Sequence, residues 1–267
     1  MIRVVLERVK QKKRTMEFPS KKITLPQRYR GLPQIEAKEC QKCKTKSCLE
    51  PEVCPTRAIH ATADATSPTA IDLGKCLFCL QCQNACPSAA ITFSNNYQMA
   101  TSKRSDLILS GNELKLADTM ATSLTKLLGR SLKLRQVSAG GCNACEADTN
   151  VLNTLAFDLA RFGIQFVASP RHADGMLITG AISKNMELAL YKTYIAIPSP
   201  KIVIATGACA ISGGPFKNSS SVVGGTDGLQ SDDCIPGGPT IAVDLFIPGC
   251  PPHPLTILDG LLRLIKR

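Results

Sequence analysis

Cys76-Leu77-Phe78-Cys79-Leu80-Gln81-Cys82-Gln83-Asn84-Ala85-Cys86-Pro87 decides how the first part of this chain is read. Four thiols at this spacing with a closing proline are a ligand pattern suited to 4Fe-4S clusters. Upstream, Cys40, Cys43, Cys48, Cys54 and Pro55 keep the opening pair and the closing Cys-Pro, with longer gaps between. Both runs continue alike, as Cys54-Pro55-Thr56-Arg57-Ala58-Ile59 and Cys86-Pro87-Ser88-Ala89-Ala90-Ile91, so the segment is an internal repeat. Eight of the 13 cysteines fall within it. Structural zinc needs only four ligands per site and gives no reason for the third cysteine or for the repeated Cys-Pro. A disulfide framework is disfavoured, because residues 1–30 carry no apolar signal core, and thiols without export stay reduced.

Over residues 34–97 the chain resembles the two-cluster ferredoxin domain, an α+β ferredoxin-like unit. That resemblance implies that the last cysteine of each run serves the other cluster. Cys40, Cys43, Cys48 and Cys86 then hold one cube, and Cys76, Cys79, Cys82 and Cys54 the other.

The chain has 267 residues, 44% hydrophobic and 20% charged, enough for two globular domains. No stretch is apolar for long enough to form a membrane-spanning helix. Most of the net charge of +11 is at the front: residues 1–30 hold ten Lys or Arg against Glu7 and Glu17, a net of +8. With the apolar stretch Ile2 to Leu6 and Val9 beside it, this basic arm (1–33) suits docking on anionic lipid or an acidic partner; a solvated tail is the plainer reading. Nucleic acid is not expected, because few aromatics interleave the cations and no recognition motif follows.

Leu114, Met120, Leu124, Leu127 and Leu128 share a helical spacing before Gly129, so the linker 98–130 is expected to carry a connecting helix over 112–128. Beyond it, short apolar runs near 132–137, 164–168, 175–179, 201–205 and 241–247 alternate with amphipathic ones near 147–161, 184–193 and 254–265. That alternation predicts βαβ units and an α/β, flavodoxin-like parallel-sheet domain over 131–267. Cys142 and Cys145 follow the first strand, Cys209 the fourth and Cys250 the fifth. Loops at the carboxyl ends of parallel strands are where such sheets bind ligands, and four thiolates there suit a third cube.

The loops Gly141-Cys142-Asn143-Ala144-Cys145-Glu146, Thr206-Gly207-Ala208-Cys209-Ala210-Ile211-Ser212-Gly213-Gly214 and Ile247-Pro248-Gly249-Cys250-Pro251-Pro252 resemble those of one family. It is the small, electron-transfer subunit family shared by membrane-bound nickel-iron hydrogenases and respiratory complex I, and it includes the 20 kDa subunit of the latter. The CxxC followed by an acidic residue is similar to the energy-converting hydrogenases, and the fused ferredoxin module to formate hydrogenlyase-type complexes. The resemblance implies three 4Fe-4S clusters, with Cys142, Cys145, Cys209 and Cys250 holding the proximal one next to a hydrogenase-type catalytic large subunit. It also implies membrane-embedded complex I-like partners, a soluble redox donor or acceptor, a place on the cytoplasmic side of the membrane, and no bond chemistry in this chain. The alternative is a complex I-like or hydrogenase-derived module without nickel, acting on quinone or sulfur or coupling redox to ion transport.

The Gly-, Ser- and Asp-rich stretch 224–239 is longer than the usual family loop and contains Cys234, read as a bystander rather than a ligand. Where the family has a basic residue, proline and glutamate, this chain has His253, Pro254 and Leu255, with His253 open to a contact with a neighbouring polypeptide. Glu146 is read as a proton relay or as a carboxylate at a helix N-terminus. His60 and His172 are read as surface residues. Neither GxGxxG opening a helix nor GxxxxGK[ST] occurs, so no nucleotide is expected.

Overall fold

The computed structural model describes residues 2–36, 38–39, 53–60, 70–121, 126, 128, 131–229 and 239–266. Cys40, Cys43, Cys48 and Cys234 lie outside them. The basic arm opens with α1 (Ile2–Gln11). The cysteine-rich segment carries β1 (Pro33–Ile35), β2 (Ile59–His60), β3 (Ala70–Asp72), α2 (Gln81–Ala85), β4 (Ile91–Phe93) and, beyond it, β5 (Ile108–Ser110). β1 pairs antiparallel with β4, and β2, β3 and β5 form a second antiparallel sheet in that order.

The sequence repeat is repeated in the backbone. Arg57 and Ala89, each three residues after a Cys-Pro cysteine, both take a left-handed φ of 50°. Their amides return to the carbonyls of Cys54 and Cys86 at 3.0 and 3.2 Å. β2 and β4 both begin two residues later. Pro after the cysteine presets the first turn angle, so each half makes the same turn and then extends.

The second half contains β6 (Leu132–Ser138), α3 (Ala144–Val151), β7 (Ile164–Phe166), β8 (Gly175–Thr179), α4 (Lys184–Ala196), β9 (Ile202–Thr206), α5 (Ala208–Ser212), β10 (Leu245–Ile247) and α6 (Pro254–Leu264). These strands form one sheet in the order β10-β9-β8-β6-β7, parallel at every pairing. Counted from β6 the order is 2-1-3-4-5, a doubly wound α/β arrangement. β8 and β9 are buried at every position, as strands covered on both faces must be.

Alternate residues feed two cores. Leu132, Leu134, Leu177, Ile202, Ile204, Leu245 and Ile247 pack with Leu255, Leu258, Leu261 and Leu262 of α6 on one side. On the other, Met176, Ile178, Val203, Ala205 and Phe246 join Leu190 and Tyr191 of α4 in one continuous core with Ile35, Ile71, Leu73, Ile91, Leu107 and Leu109 of the cysteine-rich part. Fully burying one such aliphatic side chain contributes about 2 kcal/mol. The edge strand β10 is closed by Thr101, which exchanges both backbone hydrogen bonds with Phe246, at 2.8 and 3.0 Å.

Three expectations need correction. Residues 112–121 are not helical, although residues 126 and 128 are. Their amides go elsewhere: Ala117 N–H donates to Ala100 O at 2.8 Å, Asp118 N–H to Ser102 Oγ at 2.9 Å and Met120 N–H to Leu264 O at 3.1 Å. The helix expected over 147–161 starts earlier, at Ala144, and ends at Val151. The Val151 carbonyl accepts both Thr154 N–H at 2.9 Å and Thr154 Oγ1 at 2.7 Å, so the chain tightens into a turn instead of continuing the helical ladder. The last strand is only Leu245–Ile247, because the Asp244 carboxylate accepts from Val203 N–H at 2.8 Å and ends the ladder.

Candidate functional site

The four cysteines of the second half come from three loops at the carboxyl edge of the sheet. After β6, the chain turns through Asn143 with φ 68° and begins α3, putting Cys145 in its first turn and Cys142 just ahead of it. After β9, Gly207 leads into α5, whose first turn carries Cys209. After β10, Pro248 and Gly249 deliver Cys250. The loops are stitched together: Gly207 N–H donates to Ile247 O at 2.8 Å and Ala208 N–H to Gly249 O at 2.9 Å.

Gly207 is where they meet most closely. Its φ is 92°, and a Cβ built on it would stand 2.6 Å from Cys145 Sγ, so only glycine fits. Cys209 Sγ is likewise 3.0 Å from the Cβ position of Gly214. Burial raises the pKa of the Cys145 thiol well above its usual value, and Cys209, Glu146, Cys250 and Cys142 add to the shift. Burial also pushes Cys209 up to about 11, with Cys250 and Cys142 as further causes. Cys250 is exposed at its surface, yet partial desolvation by the surrounding loops raises it too, followed by Cys142 and Cys79.

Glu146 follows Cys145 in the first turn of α3 and is 6% exposed. Its Oε1 accepts from Ser138 Oγ at 2.6 Å and from Thr179 Oγ1 at 2.7 Å, so hydroxyls at the ends of β6 and β8 clamp it at the helix N-terminus. His253 caps α6, its Nδ1 accepting from Leu255 N–H at 3.1 Å, and its ring meets Tyr29 edge to face at 5.3 Å. Tyr29, from the arm, and the Ser138–Thr179 pair carry no sequence signal of their own. His60 and His172 are exposed.

A second set of thiols lies in the cysteine-rich segment. Cys54, Cys76, Cys79 and Cys82 line one cavity, walled by Ile59, Ile71 and Phe93. Cys76 and Cys82 are both raised chiefly by burial, Cys82 to about 11. Backbone amides already point at the sulfurs: Ala58 N–H to Cys54 Sγ at 3.2 Å and Phe78 N–H to Cys76 Sγ at 3.3 Å. Cys86 is not among the cavity's residues; its Sγ lies 3.5 Å from Ser88 Oγ. A cleft lined by Leu77, Phe78 and Met99, by Gly249 to His253 and by Arg28, Tyr29 and Arg30 opens beside Cys250.

The residues fit sulfur-ligated clusters. All nine described cysteines are free of disulfides. Among the described residues no three His, Cys, Asp or Glu are arranged for a single metal ion. Thr206 Oγ1, one residue before Gly207, is buried with no partner, a donor left over beside the convergent loops. Amides and hydroxyls aimed at sulfur are the groups that tune such clusters.

A family described as NADH ubiquinone oxidoreductase, 20 Kd subunit, matches residues 142–264, and the 4Fe-4S binding domain matches residues 69–92. Formate hydrogenlyase subunit 7 of Escherichia coli is 42% identical over 142 residues, 53% of this chain and 51% of that protein. A protein of Pyrococcus furiosus named probable membrane-bound hydrogenase subunit mbhJ is 35% identical over 158 residues, 59% of this chain and 88% of that protein. An NADH-quinone oxidoreductase subunit of Heliobacterium modesticaldum is 36% identical over 171 residues, 62% of this chain and 91% of that protein. This chain thus spans about half the length of the first relative and most of the other two.

Proposed function

Because the chain belongs to the NADH ubiquinone oxidoreductase, 20 Kd subunit family, we propose that it is the iron-sulfur electron-transfer subunit of a membrane-bound, energy-converting complex of the nickel-iron hydrogenase type. The observation that carries this is the convergence of the loops bearing Cys142, Cys145, Cys209 and Cys250 at the carboxyl edge of the sheet, joined by the Gly207–Ile247 and Ala208–Gly249 hydrogen bonds and closed at Gly207 against Cys145 Sγ. These four residues would hold the proximal cluster. Cys76, Cys79, Cys82 and Cys54 would hold a second, and Cys40, Cys43, Cys48 and Cys86 a third. Bound there, three 4Fe-4S clusters supply one-electron transfer between a soluble redox partner and a catalytic large subunit.

What the chain itself contributes is position and environment. Burial of Cys145 and Cys76 excludes water, the amides of Ala58 and Phe78 face sulfur, and Gly207 lets three loops close. The matching turns at Arg57 and Ala89 and the β1–β4 pairing support a two-cluster ferredoxin fold over 34–97, between the basic arm 1–33 and the linker 98–130, with the α/β domain over 131–267. Membrane-embedded complex I-like subunits are the further partners, on the cytoplasmic side. About twelve irons per chain in anaerobically purified protein, with three reducible signals in EPR, is the expected result. Colourless protein binding zinc would refute it.

The similarity to an NADH-quinone oxidoreductase subunit supports a second reading, a nickel-free module acting on quinone or sulfur. Nickel in a co-purified large subunit favours the first reading; its absence favours the second.

A further inference from the structure

The helix α1 is built like a float. Ile2, Val5, Leu6 and Val9 recur at i, i+3, i+4 and i+7, which puts them on one stripe. All four are more than half exposed, and no residue of α1 is buried. Arg3 and Lys10 flank the stripe on one side and Arg8 on the other, and Lys12, Lys13 and Arg14 follow, with Lys12 and Lys13 exposed like the helix itself. Only Glu7 opposes these cations, and Lys10 Nζ stands 3.3 Å from it.

Directly after this stretch the chain is fastened to the α/β domain. Met16 N–H donates to Ala156 O at 2.9 Å, the Arg161 guanidinium donates to Phe18 O at 2.9 Å, and Phe18 is buried edge-on against Tyr97. Beside Ala156, Leu155 is 64% exposed. An apolar point of the domain surface therefore lies at the root of the helix.

We propose that α1 lies in the plane of an anionic lipid surface, its aliphatic stripe among the acyl chains and its cations among the headgroup phosphates, and that it brings the Met16–Phe18 root and Leu155 to that surface. Two observations favour lipid over an acidic protein groove. The stripe contains no aromatic or Met side chain, the types that anchor protein interfaces. Its cations run along both flanks and onward into the tether, as contact with a charged plane requires rather than with one pocket. Ten residues of helix span about 15 Å, and among the described residues no helix is long and apolar enough to cross a membrane, so the fit is in-plane. Each cation near such a surface strengthens partitioning about fivefold.

This stands independently of the electron-transfer reading, since vesicle binding needs no partner protein. The test is co-flotation of the full-length chain, purified anaerobically, with vesicles of phosphatidylcholine alone or of phosphatidylcholine mixed with phosphatidylglycerol. The chain is expected to float only with the anionic vesicles and to be released by salt. A Val5→Glu/Val9→Glu variant is expected to stay in solution. Lys12→Gln/Lys13→Gln/Arg14→Gln is expected to weaken partitioning about a hundredfold, three cations at about fivefold each. Visible absorbance should be unchanged in both variants, because no residue of α1 is buried against the described part of the chain. Equal flotation with neutral vesicles, or of the Val5→Glu/Val9→Glu variant, overturns the proposal. So does amide protection of α1 in a lipid-stripped complex, which would put a protein groove in the membrane's place.

Discussion

Replacing Arg104 with Met should rank among the most destabilising single changes outside the thiol loops. Its guanidinium donates to Asp72 Oδ1 at 2.8 Å and to Oδ2 at 2.7 Å, a bidentate pair, while Nε faces both oxygens of Asp227 at 3.0 Å. Burial works against the charge, but the two carboxylates outweigh it and the pKa lies above the usual arginine value. Asp72 is 2% exposed. Stripping a buried charge of its partner costs about 3–5 kcal/mol. Asp72 would keep Lys75 Nζ at 3.6 Å and Gly74 N–H at 2.9 Å, so about 2–3 kcal/mol is expected. In a chain of this size that lowers Tm by roughly 4–12 °C. The assay is anaerobic thermal unfolding followed by circular dichroism and by the visible absorbance. Asp72→Asn/Arg104→Met should recover most of the loss, because no buried charge is then left unpaired. A single variant within about 0.5 kcal/mol of the native chain, or a double variant as unstable as the single, would refute this account.

Cys142→Ser or Cys250→Ser should each remove about four irons per chain and one EPR signal while the remaining signals stay reducible, whereas Cys234→Ser should remove none; iron analysis decides. Gly207→Ala forces a Cβ against Cys145 Sγ at a φ of 92° and should cost about 1–3 kcal/mol together with iron content at that site. Burial holds the His253 pKa below the ordinary 6.5, so folding favours the neutral ring. The cap at the start of α6 is then intact above pH 6.5 and is lost as pH falls through the lowered pKa, exposing the Leu255 amide to hydrogen exchange. His253→Ala should cost about 1 kcal/mol at neutral pH and abolish that pH dependence.

The strands β8 and β9 were legible because apolar runs buried on both faces leave an unbroken signature, and the cysteine loops because thiol spacing is a local code. The connecting helix misled for a physical reason. Leu114 and Met120 keep a helical period, yet the amides of Ala117, Asp118 and Met120 find partners in the Ala100 carbonyl, the Ser102 hydroxyl and the Leu264 carbonyl, and tertiary pairing overrides propensity. Asp244 ended a strand that Ile241 and Val243 seemed to begin, because one carboxylate took the ladder's amide. What could not be read at all were pairs without a period: Asp72 with Arg104, Tyr29 with His253, Glu146 with Thr179. Each joins segments far apart in sequence.

Contacts across the seam explain why the two halves act as one body. If the cysteine-rich segment were only tethered, the linker would set the separation of its thiols from those of the sheet. Instead Ile71 and Leu73 share a core with Met176, Ile178 and Phe246. Ser212 Oγ donates to Gly74 O at 2.9 Å, and a Cβ on Gly74 would strike Ile211 and Arg104. Gly74 is two residues before Cys76, and Ser212 is three after Cys209. The contact between the halves is therefore made partly by the loops that carry the thiols. A change that loosens this seam should alter communication between the two thiol sets before it unfolds either half, since each half keeps its own sheet.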